Sequence, residues 1–356
     1  MSAPSAVAAR PWRRVPGRPP RRRVVFVTVG CLLAALAVGV VGLAAGSSSL
    51  TAGDAVRTLL GGGSPGEHLI VVGLRLPRVL GALLVGTALG LAGALTQTFA
   101  RNPLATPDII GVTSGASLGA VMAIVLAGGT YQVAAGTLSL GMPAAAAVGA
   151  LLTALVVYGL AWRGGIDSFR IILIGIGATA TLSGVTSYLV ARAQITEAAN
   201  AAQWLVGSLS GMSWSSVRPL LVVVLLVTPV ALAQSRDLEV SQLGDDVTSG
   251  LGVAVQRHRL LVLGCAVLLT AAAVSASGPV EFVAFLAPQV AQRLAATARP
   301  PLLASAFVGA LVVAGADAAS RTVLPGQLPV GIVTAVVGAP YLIWLLTRLK
   351  ERETVS

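Results

Sequence analysis

Residues 73–120 read GLRLPRVLGALLVGTALGLAGALTQTFARNPLATPDIIGVTSGASLGA and contain the segment on which the fold depends. No charged residue occurs from Val79 to Ala100, and about 22 residues in an α-helix rise about 33 Å, enough to cross the hydrocarbon core of a bilayer. Pro77 is tolerated in the first turn of a helix, and Asn102-Pro103 breaks the pattern at the other end. This segment therefore predicts a membrane-spanning helix.

Small residues mark one face of this predicted helix. Gly86, Gly90 and Gly93 recur at helical spacing, and Gln97 follows on the same face one turn later. Because lipid supplies no hydrophobic drive between helices, glycines at this spacing let a second backbone approach closely. The face is therefore predicted to pack against another helix, where the Gln97 amide must find a hydrogen-bonding partner or water.

The composition of the whole chain extends this interpretation. Its 356 residues are 55% hydrophobic and 10% charged, with a mean hydropathy of +0.87, which excludes a soluble globular domain. We predict an all-α polytopic membrane protein with about ten transmembrane helices. The predicted spans are Val24–Ala45, Val79–Ala100, Asp108–Ala127, Pro143–Trp162, Arg170–Ala191, Ser216–Ala233, Leu260–Ser277, Val280–Ala296, Pro301–Ser320 and Pro329–Thr347.

The net charge of +11 follows from where the basic residues lie. If both termini are cytoplasmic, three quarters of the 24 Lys and Arg fall in cytoplasmic segments, as the positive-inside rule expects. Membrane topology thus explains the charge, and we predict contact with cell-membrane lipid and no nucleic-acid partner. The predicted organisation is a disordered basic cytoplasmic tail at 1–23, a transmembrane domain at 24–349, and a cytoplasmic tail at 350–356.

An ordered set of short motifs resembles one family of membrane proteins. The segments Arg75-Leu76-Pro77-Arg78 and Arg101-Asn102-Pro103-Leu104-Ala105, with Gln97 between them, are similar to the FecCD-type permeases. These are the membrane subunits of binding-protein-dependent ABC importers for iron-siderophores, haem and vitamin B12. Downstream, Gly278-Pro279-Val280-Glu281-Phe282-Val283 continues the match, although Gln289 stands where histidine is usual. The resemblance implies a fold like that of the vitamin B12 permease. It also implies a second permease subunit, two ATPase subunits and an extracytoplasmic substrate-binding protein as partners.

Three arginines are candidates for contact with that soluble protein. In the family, arginines at the positions of Arg75, Arg78 and Arg321 dock carboxylates of the substrate-binding protein, a role that suits the bidentate, permanently charged guanidinium. Alternatively, Arg75 and Arg78 snorkel toward lipid phosphates, and Arg321 forms a local (i, i+4) ion pair with Asp317. Docking and the ion pair are compatible, because Asp317 can orient Arg321.

The longest predicted cytoplasmic loop, at 234–259, carries a periodic apolar pattern. Val240, Leu243, Val247 and Leu251 recur at helical spacing with glycines between them, which predicts two short amphipathic helices. Their apolar sides either fold onto the chain's own membrane domain or contact a partner. The resemblance favours a partner and implies a coupling element that fits a cleft on the ATPase. Its residues are Leu243, Gly244, Asp245, Asp246, Leu251 and Gly252.

The fifth predicted span is less apolar than its neighbours and carries hydroxyl groups on roughly one face. Such hydroxyls often bond back to the preceding turn, whereas in the family this span forms the wall of a water-filled translocation pathway. The lining residues predicted on this basis are Gln97, Thr179, Ser183, Thr186 and Ser187. In the preceding loop, the resemblance implies a cytoplasmic gate formed by Asp167, Ser168 and Phe169.

The chain offers no chemistry for hydrolysing ATP. Its single lysine, Lys350, follows no glycine-rich loop, so we predict no catalytic residue, metal or cofactor in this chain, with ATP and Mg²⁺ bound by the ATPase partner. The predicted function is the permease subunit of an ATP-driven importer, with ferric siderophores favoured over haem and vitamin B12. The alternative is a proton-coupled secondary transporter. That mechanism needs an ionisable group near mid-membrane, whereas Glu281 and Asp317 lie near the ends of predicted spans.

Overall fold

The computed structural model describes residues 21–44, 52–126, 141–163, 165, 168–322 and 328–354, and all regular structure in these ranges is helical. The predicted all-α fold class is confirmed. The α-helices are α1 (Arg21–Ala44), α2 (Ala52–Leu59), α3 (Pro65–His68), α4 (Leu76–Phe99), α5 (Val112–Leu126), α6 (Gly141–Ala161), α7 (Ser168–Arg192), α8 (Ile195–Leu205), α9 (Trp214–Ala233), α10 (Ser235–Ser241), α11 (Asp245–Gly250), α12 (Val255–Ser277), α13 (Val283–Ala295), α14 (Leu302–Thr322) and α15 (Val330–Thr354). A π-helix at Leu69–Arg75 joins α3 to α4, and a 3₁₀ helix at Pro107–Ile110 precedes α5.

Seven helical segments in the described ranges are long and apolar enough to cross a membrane. They are α1, the continuous segment Pro65–Phe99 that ends with α4, and α6, α7, α9, α12 and α14. The remaining predicted spans correspond to α5 and α15, in which the apolar stretch is shorter, and to α13, which has only 13 residues. Each of the predicted spans therefore overlaps one helix, and the protein is a multi-pass membrane protein.

Helix α13 differs most from its predicted span, Val280–Ala296. Its 13 residues rise about 20 Å, too short for a hydrocarbon core of about 30 Å. The helix cannot extend back to Ser277, because Gly278 (φ 72°) and Phe282 (φ 64°) adopt left-handed backbone conformations that interrupt the helical path. Instead, α13 is a largely buried half-helix that packs against α4 and α14.

Helix ends differ from the predicted boundaries in three smaller ways. Helix α1 begins at Arg21, within the predicted tail, the rest of which lies outside the described residues. Helix α15 continues to Thr354, past the predicted end of the transmembrane domain. The third predicted span starts in a 3₁₀ turn, and α5 itself begins only at Val112, because Gly111 turns the chain with a φ of 78°.

Helix α4 is the centre of the bundle. In its most apolar window 78% of the residues are buried, compared with 17% for α1 and for α7. The predicted packing face is confirmed: Gly86 lies against the backbone of Gly309 on α14, and Gly93 lies against the carbonyl group of Ala284 on α13. A Cβ atom at either glycine would overlap a backbone oxygen, so the absence of a side chain is what lets the helices approach.

The two ends of the bundle bring together the regions that carry candidate site residues. At one end, Arg101 follows α4 and contacts α10, α11 and, through Asp245, the first turn of α12. At the other end, the last turns of α1 and α14 meet the start of α4. We call these the inner end and the outer end, following the predicted topology.

Candidate functional site

At the inner end, the predicted coupling loop folds as the two short helices α10 and α11. Gly244 (φ 103°) and Gly252 (φ 82°) flank α11 in backbone conformations that residues with a Cβ atom rarely adopt. Both glycines are therefore required by the turns that set the direction of α11. The prediction of two short helices with glycine breaks is confirmed.

This loop has two chemically different sides. Toward the bundle, Leu238 and Thr248 are each 1% exposed. On the other side, Leu243, Val247 and Leu251 are 63%, 48% and 61% exposed, and we call these three residues the apolar ridge. Both interpretations of the loop's apolar pattern therefore hold, each for one side. Part of the loop folds onto its own domain, and the described residues leave the ridge uncovered.

Ion pairs fasten the bundle-facing side. Asp245 accepts from Arg101 at 3.0 Å and from Arg259 at 2.6 Å, which connects α11 to the end of α4 and to α12. Asp246, the adjacent acid of the predicted coupling element, is exposed. The sequence does not predict these two ion pairs, because Arg101 is separated from Asp245 by 144 positions and no local spacing relates them.

Two further contacts hold α10 in place. Arg299 forms an ion pair with Glu239 at 2.8 Å, and the Gln242 side chain donates to the Thr98 carbonyl at 2.8 Å. The loop is therefore attached to the membrane bundle at several points besides its connections to α9 and α12.

At the outer end, the three predicted docking arginines lie in one cluster. Asp317, 2% exposed, accepts from Arg78 at 2.8 Å through one oxygen and from Arg321 at 2.9 Å through the other. The ion pair predicted between Asp317 and Arg321 is confirmed. The participation of Arg78 was not predicted, since 239 positions separate it from Asp317.

Two of these arginines, Arg75 and Arg321, bind the last turn of α1. Arg75 donates to the carbonyl groups of Leu43 at 2.7 Å and Ala44 at 3.1 Å, and Arg321 donates to that of Gly42 at 3.0 Å. Carbonyls in the last turn of a helix lack helical partners and lie at the negative end of the helix dipole, so guanidinium groups are favourable there. Arg75 is 8% exposed and the side chain of Arg78 is 17% exposed, so these two arginines point into the protein and not toward lipid.

Helix α7 presents part of the predicted pathway wall. Ser183 and Ser187 are exposed, as are Gly177 and Gly184 on the same helix. Thr186 is 6% exposed and donates to the Leu182 carbonyl at 2.8 Å, which matches the alternative of bonding back to the preceding turn. The Thr179 hydroxyl is buried and finds no partner within the described part of the chain. The structure thus divides the predicted wall into two exposed serines and two threonines that face the chain's own packing.

Gln97 also differs from its predicted place on the pathway wall. It is 3% exposed, and its amide donates to the Phe285 carbonyl at 3.1 Å while accepting from Gln289 at 2.7 Å. Gln289 in turn donates to the Pro103 carbonyl at 3.2 Å. Gln97 is therefore a buried link between α4 and α13, because the half-helix occupies the space that an open wall would need.

The predicted cytoplasmic gate is only partly within the described residues. Asp167 lies outside them, the backbone of Ser168 begins α7, and Phe169 is 75% exposed at the inner end. The gate stays a prediction.

Known proteins resemble this chain along most of its length. The FecCD transport family matches residues 31–348. The ferric enterobactin transport system permease protein FepG of Escherichia coli (strain K12) is 40% identical over 333 residues, which cover 93% of this chain and 98% of FepG. The achromobactin transport system permease protein CbrC of Dickeya dadantii (strain 3937) is 39% identical, with 93% of this chain and 94% of CbrC covered. The cobalamin import system permease protein BtuC of Halobacterium salinarum is 37% identical, with 82% and 76% covered.

A solved structure has the same fold. It is an ABC transporter assigned to the metal-chelate type, in an inward-facing conformation, with a TM-score of 0.78 and 27% sequence identity. The alignment covers 90% of this chain and 99% of the other. Taken with the helix order and the two polar clusters at the ends of the bundle, these similarities show that this chain belongs to the FecCD transport family.

Proposed function

We propose that this chain is the membrane-spanning permease subunit of an ATP-driven importer of ferric siderophores and forms the translocation pathway with a second permease subunit. Membership of the FecCD transport family supports the permease role, and the siderophore-related names of relatives such as FepG and CbrC support the substrate class. Haem and cobalamin are the competing substrates. The placement of both termini in the cytoplasm follows from the distribution of basic residues.

The apolar ridge is the observation on which the proposal depends most. Leu243, Val247 and Leu251 leave a row of large apolar side chains exposed on a loop that is otherwise fastened to the bundle. A helix that lays an apolar face into a groove of a partner is a common mode of recognition. We assign that groove to an ATPase subunit, which supplies the ATP and Mg²⁺ chemistry and presses on the ridge when it closes.

The arginine cluster at the outer end is the proposed contact for the substrate-binding protein. Arg75, Arg78, Arg321 and Asp317 together carry two net positive charges, and Arg78, the most exposed of the three arginines, is the one that we expect to meet the binding protein. We expect the affinity of the native chain for its binding protein to fall as salt rises from low to physiological ionic strength, because surface charges are screened beyond about 8 Å at 0.15 M. Surface plasmon resonance across a salt series measures this. An affinity that does not change with salt would mean that docking is mainly apolar.

The polar residues on the exposed face of α7 favour a translocation pathway between two permease subunits. α7 and α1 are equally exposed, yet α7 is the less apolar of the two. A helix that met only lipid would have no reason to expose Ser183 and Ser187 with two glycines beside them. We propose that this face borders an aqueous passage wide enough for a bulky solute.

Reconstitution tests the function directly. Proteoliposomes holding the chain with its second permease subunit and its ATPase should accumulate radioiron-loaded enterobactin only when ATP is enclosed on the ATPase side and the binding protein is present outside. Replacing Leu243, Val247 and Leu251 with serine should release the ATPase from the purified complex, since each buried leucine contributes about 2 kcal/mol at such an interface. Leu225, equally large and exposed on α9, is the matched control, and Leu225→Ser should keep the ATPase bound. Uptake without ATP that an uncoupler abolishes would instead identify the proton-coupled transporter.

A further inference from the structure

We propose that Asp245 is the residue that transmits movement of the apolar ridge to the membrane helices. This inference rests on the proposed function. Asp245 contacts neither solute nor nucleotide in this scheme. It is a positioning residue that links the coupling loop to Arg101 and Arg259.

Each of the two carboxylate oxygens of Asp245 pairs with a different arginine. One oxygen accepts from Arg101 at 3.0 Å, and the other accepts from Arg259 at 2.6 Å. Arg101 lies directly after α4, and Arg259 lies in the first turns of α12. Two membrane helices are therefore joined to α11 through a single side chain.

The exposure of the three side chains indicates which half of the bridge is stronger. The Arg259 side chain is 15% exposed, whereas those of Arg101 and Asp245 are 42% and 49% exposed. Ion pairs in contact with water are screened and weak one by one. The link therefore depends on both arginines together and most on Arg259, whose guanidinium is the least hydrated.

The backbone conformation of Arg101 is a second observation that its side chain is needed. Its backbone has a φ of 50°, in the left-handed region that glycine adopts freely and that residues with a Cβ atom adopt at a cost. The same guanidinium also donates to the Ser241 carbonyl at 2.5 Å. Arg101 thus holds the end of α10 and the start of α11 at once, which glycine at this position could not do.

The surrounding turns make α11 a unit that can be displaced as a whole. Gly244 and Gly252 flank it, and no atom of the described residues lies within 4 Å of the place that a Cβ atom would take at either glycine, so these residues leave open space around both turns. Val247 and Leu251 of the apolar ridge lie between these two glycines and are exposed, and Asp245, at the start of the same unit, pairs with two arginines of the bundle. A push on the ridge therefore displaces the carboxylate, and both arginines must follow or the two ion pairs break. Because α4 contacts α9, α12, α13 and α14, its movement would reach much of the bundle.

The experiment compares uptake and ATP hydrolysis in the reconstituted importer of chain, ATPase and binding protein. For Asp245→Asn we expect radioiron-enterobactin uptake per ATP hydrolysed to fall about fivefold, the size that loss of two partly exposed ion pairs can give. ATPase co-purification should be unchanged, because the apolar ridge is intact. Asp245→Glu, which keeps the charge, should restore most of the uptake. Arg259→Gln breaks only the less exposed of the two ion pairs and should lower uptake per ATP in the same direction but by less. The double variant should be no worse than Asp245→Asn alone, because Asp245→Asn already removes the partner of Arg259.

The control is Arg257→Gln. Arg257 is an exposed arginine two positions from Arg259, so the change in net charge is the same. It should leave uptake per ATP at the native value. Equal losses in Arg257→Gln and Arg259→Gln, unchanged uptake per ATP in Asp245→Asn, or release of the ATPase by Asp245→Asn would each overturn the inference. Failure of the proposed function would be seen separately, as an absence of ATP-driven uptake by the native complex.

Discussion

Asp317→Asn should lower the free energy of unfolding by about 3 kcal/mol, because it leaves two buried guanidinium groups without their shared counter-charge. Asp317 is 2% exposed and pairs with Arg78 and Arg321, whose side chains are 17% and 9% exposed. Without the carboxylate, two like charges face each other at the outer end, where Arg321 also holds the last turn of α1. The unfolding midpoint in a titration with sodium dodecyl sulfate measures the change.

A double variant tests whether the charges in this cluster depend on one another. Asp317→Asn combined with Arg78→Gln removes one positive and one negative charge. The double variant should therefore lose less free energy of unfolding than the sum of the losses in the two single variants. Arg192→Gln, which removes an exposed arginine at the end of α7, should change the free energy by less than about 0.5 kcal/mol. If Asp317→Asn were as mild as Arg192→Gln, water would be solvating the cluster and the three groups would not depend on one another.

Gly86→Ala should destabilise the bundle by about 3 kcal/mol, since the added methyl group meets backbone and not a movable side chain. The Cβ atom would overlap the carbonyl group of Gly309, and its neighbour Ala310 is also within contact distance. Helix α14 would have to move away from α4, which would open the central interface of the fold. The thermal unfolding midpoint in detergent, followed by tryptophan fluorescence, should fall by several degrees.

The chain offers a matched control for this substitution. Gly264 lies within α12, and a Cβ atom there would meet no atom within 4 Å. Gly264→Ala should therefore be neutral or stabilise slightly, because alanine favours the helix more than glycine does. If Gly86→Ala and Gly264→Ala had the same effect, helix propensity alone would explain both, and the close approach of α4 to α14 would not matter.

Gln97 shows what the periodicity of a helix cannot predict. The glycine face of α4 was predicted correctly as a packing surface, yet Gln97 on that face was also predicted to line a pathway. Periodicity tells which residues share a face, but it does not tell whether water or another helix covers it. Here α13 covers it, and the Gln97 amide bonds to Phe285 and Gln289.

For charged residues too, the sequence predicts only contacts between neighbouring positions. The spacing of Asp317 and Arg321 predicts their ion pair, because four positions make one turn of a helix. No spacing relates Arg78 to Asp317 or Arg101 to Asp245, which are brought together only when distant helices pack. For that reason the docking role of the arginines stays a prediction, while their intramolecular contacts are directly visible.

Sequence alone determined that this chain is an all-α membrane protein, where most of its helices run and which family it belongs to. Those properties depend on local apolar length, helix-breaking residues and short motifs, all of which are properties of neighbouring residues. Only the tertiary structure decided that α13 is a half-helix, that arginines at the outer end hold α1, and that the ridge stays exposed while Asp245 pairs with two arginines of the bundle. These features arise from contacts between segments far apart in the chain, whose geometry depends on how all the helices pack at once.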